Sequence, residues 1–215
     1  MFPSEGRNVN TKKRILDAAL TLFSEKGYTN VFVAEIAEAV GIKAPSLYKH
    51  YKSKRDIFNA ILDEMKASYD TRAAALGING SNAAADAMVY FDVSEDMLVE
   101  MGMSLFGYFL HDDYTRKFRK MLTLEQYQDP ELAQLFSRQY IDDSLKYQSM
   151  MFDILCRQGV LRGGDPYVMA LQFHAPIYTL LTMCDREPHR EQELTALLEQ
   201  HIRQFSRIYG KENDQ

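Results

Sequence analysis

A chain of 215 residues with 46% hydrophobic content can bury a sizeable core, and its length suits either one large domain or a small head on a larger body. No apolar run approaches the roughly 20 residues of a membrane span, and two cysteines far apart, Cys156 and Cys184, make neither a disulfide framework nor a zinc site. The net charge of −5 hides an asymmetry: residues 1–58 carry ten Lys and Arg against six Asp and Glu (+4), and the remainder fifteen against twenty-four (−9). A basic head on an acidic body is expected where one end meets phosphates and the other does not. Met1 to Asn10 lacks an apolar stretch, so no secretory leader is expected and a soluble cytoplasmic protein is.

The elements read as helices from end to end. Ile15, Ala18, Ala19, Leu22 and Phe23 recur at helical spacing, predicting a first helix over about 10–26 that Gly27 ends. Ile36, Ala37 and Val40 give the apolar face of a second over 33–39, and Gly41 marks a tight turn into a third over 44–51. Ser53 with Asp56 has the spacing of a capping box and opens a fourth helix to about Leu76, before the break GINGSN at 77–82. Further helices are predicted over 83–90, 95–110, 112–127, 130–158, 166–184 and 188–208. Three begin with an acid and a proline, Asp129-Pro130, Asp165-Pro166 and Glu187-Pro188, the chemistry of a cap followed by a first helical residue that needs no N–H. Pro176 falls inside a helical run, where it removes the bond to the carbonyl of Gln172 and predicts a kink. There is no β pattern, repeat or low-complexity tract, and the predicted fold class is all-α.

Two short helices meeting at Gly41 have the arrangement of a helix-turn-helix, whose second helix lies in the DNA major groove. In that helix Ala44 and Pro45 offer only apolar or backbone contacts, such as to a thymine methyl, and Ser46 can donate or accept. Tyr48 and Lys49 are placed for phosphates or groove edges and His50 for the backbone, while Leu47 and Tyr51 read as core. Lys12, Lys13 and Arg14, Lys43, and Lys54 and Arg55 lie at predicted helix starts, where each opposes the helix dipole by roughly 0.3–1 kcal/mol unless an anion arrives.

The runs ILDAALTLFSEKGY (15–28), EIAEAVGI (35–42) and SLYKHYKSK (46–54) resemble the amino-terminal domain of TetR/AcrR-type transcriptional regulators. The resemblance implies a DNA-binding head over 1–58, with a connector helix to about 76, and a helical ligand-binding and dimerisation body over 59–215. It also implies a homodimer on double-stranded operator DNA that a small-molecule effector releases, with Tyr48, His50 and Lys54 on phosphates. Three positions depart from the family pattern. Val31 and Phe32 stand where Thr or Ser caps the second helix, so about 1 kcal/mol of capping is missing unless Thr29 or Asn30 supplies it, and Lys43 stands where Ser is common.

In the body, Leu194, Leu197, Leu198, His201, Ile202 and Phe205 form a wide apolar stripe, and the preceding helix adds Leu171, Tyr178 and Leu181. Paired about a two-fold axis they would make a four-helix dimer face; the alternative is packing within one chain. Effector-pocket candidates are Met101, Phe106, Phe109, Phe118, Met121 and Tyr127, then Tyr140, Tyr147, Met151, Phe173 and, as a polar handle, His174. For any one of these, plain core is the competing assignment.

No catalytic constellation, metal-ligand spacing or cofactor motif occurs, so no enzyme, metal or cofactor is predicted. Cys156 and Cys184 read as inert buried thiols. The alternatives to a repressor are an activator of the same fold, or a helical small-molecule-binding protein or enzyme without operator binding.

Overall fold

In the computed structural model, which describes residues 5–210, the helical periodicity is realised almost throughout, with an isolated bridge between Leu161 and Gly210. The helices are α1 (Glu5–Lys26), α2 (Val33–Val40), α3 (Ala44–Leu47), α4 (Lys54–Ala75), α5 (Ala83–Val89) and α6 (Glu95–His111), then α7 (Asp113–Glu125), α8 (Pro130–Ser137), α9 (Asp143–Arg157), α10 (Pro166–Arg186) and α11 (Glu191–Tyr209). The chain divides into two compact units. One holds the chain up to Tyr69 together with Asp113–Phe136; the other holds Asp70–Asp112 and everything from Ser137. The first unit is therefore wider than a head of residues 1–58, because the start of α4 and all of α7 pack with it.

The core of the first unit is built from the stripes seen in the sequence. Ile15, Ala19 and Phe23 of α1, Ile36 and Val40 of α2, Leu47 of α3 and Ile57, Phe58 and Ile61 of α4 are all buried, each contributing roughly 1.5–3 kcal/mol in the larger cases. The Tyr28 ring meets Phe23 and Phe58 edge-on at 5.1 Å, and Phe58 reaches Phe118 of α7 at 5.9 Å.

Helix α7 runs parallel to α1 and the loop after it. Tyr114 donates to Asp17 Oδ1 (2.8 Å), Lys117 to Thr21 Oγ1 (3.0 Å), and the backbone N–H and hydroxyl of Thr29 to Glu125 (2.9 and 2.8 Å), an offset of 96 or 97 residues each time. Glu125 is fully buried. Gly27, at φ +84°, makes the room: a Cβ there would fall 2.5 Å from Glu125 Oε1. Hydrogen bonds to a buried carboxylate offset its desolvation, so the loop and the acid stabilise each other.

In the second unit Asp86 does the same for the GINGSN break. Its buried carboxylate accepts from the N–H groups of Asn79 (2.6 Å) and Gly80 (2.8 Å) and from the Tyr147 hydroxyl (2.6 Å). Leu145, Met151, Phe152 and Leu155 of α9 pack with Met169, Ala170 and Phe205, while Val99, Phe106 and Leu110 of α6 pack with Leu180, Leu181, Leu194, Leu198 and Ile202. Phe173 stands against both clusters, with Phe205 at 4.8 Å and Phe152 at 5.9 Å.

Helix boundaries differ from expectation where no cap marks them. The first helix begins at Glu5, ahead of the apolar periodicity. Regular α geometry in the third ends at Leu47, and its last turn tightens to i→i+3 bonds from Lys49 and His50. The predicted run 130–158 is interrupted by a π turn at Arg138–Asp142. Asp129 and Asp165 cap α8 and α10 as their chemistry requires. Glu187 caps nothing: its carboxylate pairs with Arg190, a 3-10 turn follows, and α11 starts at Glu191. Pro176 does not end α10, which continues to Arg186.

The two positive-φ glycines of the head separate strain from crowding. Gly41→Ala has open space and should cost only the left-handed backbone penalty, about 1–2 kcal/mol. Gly27→Ala adds a collision with a buried, hydrogen-bonded acid and should cost at least about 1 kcal/mol more by urea denaturation. Equal losses would contradict the tight fit at Glu125.

Candidate nucleic-acid interface

The turn between α2 and α3 is fixed by its own backbone. Gly41 adopts φ +75°, its N–H bonds Glu38 O (2.9 Å), and Ile42 N–H reaches back to Ala37 O (2.9 Å), satisfying carbonyls that a helix end leaves open. Arg14 donates to the Val40 carbonyl at 2.6 Å, placing a cation at the negative end of the α2 dipole. Lys43 is extended and Leu47 is fully buried, which pins the inner side of α3. The outer side carries Lys43, Pro45, Tyr48 (50% exposed) and Lys49, all exposed, with Ala44, Ser46 and His50 half-buried beside them. His50 Nδ1 is enclosed without a hydrogen-bond partner, so its other ring nitrogen is the one that can meet an external group. Tyr51 is half-buried with the Lys12 ammonium 6.0 Å from its ring centroid.

Lys54 is placed differently from its implied phosphate role. Its ammonium donates to the carbonyls of Tyr28 (2.8 Å), Val31 (2.9 Å) and Thr29 (3.4 Å) and lies 4.3 Å from the Tyr28 ring centroid. An ammonium has three N–H donors, and here all three serve the loop before α2. Desolvation holds its pKa below the ordinary lysine value, against opposing pulls from Glu125 and Glu35. Lys54 braces the head from within.

The missing cap of α2 is not replaced by Thr29 or Asn30. Thr29 is committed to Glu125, and the Asn30 amide donates to Lys26 O (2.9 Å). Half of a capping box survives because Glu35 accepts from Phe32 N–H (2.8 Å); the phenyl ring has no acceptor to complete it. Lys26 lies 2.6 Å from Glu35 and, as its largest influence, holds that carboxyl below the usual range.

The cluster of cations at helix starts also divides. With α1 beginning at Glu5, Lys12 to Arg14 lie within the helix and the dipole argument does not apply to them. Lys13 contacts Asp17 (3.5 Å) and Glu64 (3.2 Å), and Arg55 pairs with Glu131 and lies over the Phe58 ring. Lys43 and Lys49 remain exposed on the turn motif.

The body candidates are distributed as follows. Tyr127 is 91% exposed in the turn after α7; Phe118 and Met121 are core of the first unit. Phe106, Tyr140 and Met151 are core of the second, and the Tyr147 hydroxyl is held by Asp86. Met101, Phe109 and Phe173 are half-buried. His174 Nε2–H donates to the carbonyl of Tyr140 (2.8 Å), within the π turn, and burial lowers its pKa. Of the predicted dimer face, Leu181, Leu194, Leu198, Ile202 and Phe205 are buried in their own chain, so that part of the stripe is core. Leu171 and Leu197 are exposed, and Tyr178 and His201 half-buried, His201 on the Phe173 carbonyl at 2.9 Å. Glu125 and Asp86, the buried acids that hold two loops, carry no local sequence signal.

Lys54→Met keeps most of the stem and removes the donors. It should destabilise the first unit by about 1–3 kcal/mol through the freed carbonyls, read as a lower thermal midpoint. An unchanged midpoint would return Lys54 to the exposed phosphate-binding set.

Comparison with known proteins agrees with this geometry. The model of bacterial regulatory proteins of the tetR family matches residues 15–61. The biofilm operon icaADBC HTH-type negative transcriptional regulator IcaR of Staphylococcus aureus is 39% identical over 82 residues, covering 37% of this chain and 42% of IcaR; that of Staphylococcus epidermidis is 37% identical over 75 residues, covering 31% and 40%. The match thus spans about two fifths of the length of these relatives. Over nearly the whole chain the fold is that of SmeT, the repressor of the Stenotrophomonas maltophilia multidrug efflux pump SmeDEF (20% identity, TM-score 0.63, 94% of this chain and 91% of SmeT), which is also known in complex with triclosan. It is likewise that of NalD, the secondary repressor of the MexAB-OprM pump of Pseudomonas aeruginosa (20% identity, TM-score 0.64, 97% and 100%). Residues 15–61 thus carry the sequence of the tetR family of bacterial regulatory proteins, and nearly the entire length has the all-helical fold of SmeT and NalD.

Proposed function

We propose that the protein is a cytoplasmic, DNA-binding transcriptional repressor that acts as a homodimer and leaves its operator when a small molecule binds the helical body. The observation that carries this reading is the turn motif: a backbone-locked Gly41 turn presents Lys43, Pro45, Tyr48 and Lys49 outward on a helix pinned by Leu47. Ala44, Pro45 and Ser46 form the leading turn for base edges, while Lys43, Tyr48, Lys49 and His50 supply phosphate contacts that fix register. The naming of IcaR as a negative regulator and of SmeT and NalD as repressors supports the sign, and the triclosan complex of SmeT supports a small-molecule effector.

For the dimer, the exposed residues of α10 and α11 are the supporting feature. Tyr167, Val168 and Leu171 of α10 and Leu197 and Ile208 of α11 remain outside the core of a single chain. A two-fold dimer also suits two half-sites one or more DNA turns apart. Effector binding would select a body conformation in which α4, which runs from one unit into the other, shifts and spoils the half-site spacing. Linkage then requires DNA to weaken effector binding by the same factor.

Two experiments test the reading. Purified protein should bind DNA from around its own coding region with salt-sensitive affinity. Lys43→Ala with Lys49→Ala should weaken that binding and reduce the slope of log K against log salt by about 0.9 for each phosphate left without its cation. No binding at low salt, even non-specific, would refute the reading. In sedimentation, Leu171→Glu with Leu197→Glu should give a folded monomer, whereas a dimer that survives both changes would move the interface elsewhere.

A further inference from the structure

Phe32 breaks two local rules at once. It occupies the N-cap of α2 with no atom able to accept the free N–H groups there, and its ring is 71% exposed. A serine would be better for the helix and an aliphatic residue no worse, so neither stability nor burial accounts for the aromatic ring.

The backbone beneath it is held from several sides. Val31 is fully buried and its carbonyl takes the Lys54 ammonium; Phe32 N–H bonds Glu35; Thr29 is tied to Glu125. An exposed ring on a pedestal this constrained loses little freedom when something packs on it.

Its place within the motif selects the partner. Eight residues of α2 put Phe32 about 12 Å along the helix from the Gly41 turn, and the first helix of such a motif crosses the phosphodiester backbone while the second enters the groove. Residues 1–58 carry a net +4, and Glu35, which accepts from Phe32 N–H, is paired with Lys26 at 2.6 Å. A lone ring offers under ~200 Å² of surface, far short of the ~800 Å² that a second protein needs on each side. Such a contact suits a ligand already held by charge.

We propose that Phe32 is an apolar anchor that packs on the deoxyribose face of the DNA backbone beside the recognition groove, adding a salt-independent increment to affinity. The inference rests on the DNA-binding reading above. In a salt series with the DNA fragment bound by the wild type, Phe32→Ala should lower affinity roughly tenfold at every salt concentration, leaving the slope unchanged. Phe32→Leu should recover part of the loss. Phe32→Ser should raise the thermal midpoint by about 2–4 °C through the restored cap, yet bind DNA as weakly as the alanine variant. Full affinity in Phe32→Ala and Phe32→Ser, with the Lys43 and Lys49 variant still impaired, would overturn the anchor and leave the DNA-binding reading standing. A change in oligomeric state with unaltered affinity would overturn it in favour of a second copy as the occupant. If the wild type bound no DNA at low salt, the reading and the anchor would fall together.

Discussion

The head depends on a short piece of backbone that belongs to no helix. Residues 27–32 join α1 to α2, and their polar groups are met largely by two charged side chains from elsewhere: the Glu125 carboxylate on Thr29, and the Lys54 ammonium on Tyr28, Thr29 and Val31. Buried backbone groups must find partners, and a loop cannot supply its own ladder. Charge-assisted bonds do it here, with Gly27 leaving the space that the carboxylate fills.

From that support the exposed face of the turn motif follows by short steps. Glu35 keeps the one capping bond that the Phe32 position permits, Arg14 closes the other end of α2, and Leu47 locks α3 against the core. Exposed on the turn and α3 itself are Lys43, Pro45, Tyr48 and Lys49. Cations that look equally available in sequence, Lys13, Arg55 and Lys54, are engaged by the protein itself.

Most of the fold is legible in the sequence because its signals are local. Periodicity, Gly41, Ser53 and the two Asp-Pro pairs each act within four residues, and the helices they mark stand within a few positions of expectation. The start of α1 escapes because Glu5 to Asn10 lacks apolar periodicity, and the π turn because nothing local announces one. The site is legible only in part. That Lys54 faces inward depends on a loop more than twenty residues away, and Glu125 on one 96 residues away. The α11 stripe is wide enough to serve two partners, and only packing shows that Leu194, Leu198, Ile202 and Phe205 serve their own chain while Leu197 does not. Aromatic composition likewise does not separate core such as Phe118 from a pocket lining.

The central claim is that two copies of this turn motif read double-stranded DNA through a braced head. Hydroxyl-radical footprinting of the protein on DNA from around its own coding region tests it most directly. Two symmetric patches of backbone protection, their centres one or more helical turns of about 10.5 base pairs apart, are the predicted result. Uniform weak protection, or none at low salt, would contradict the account.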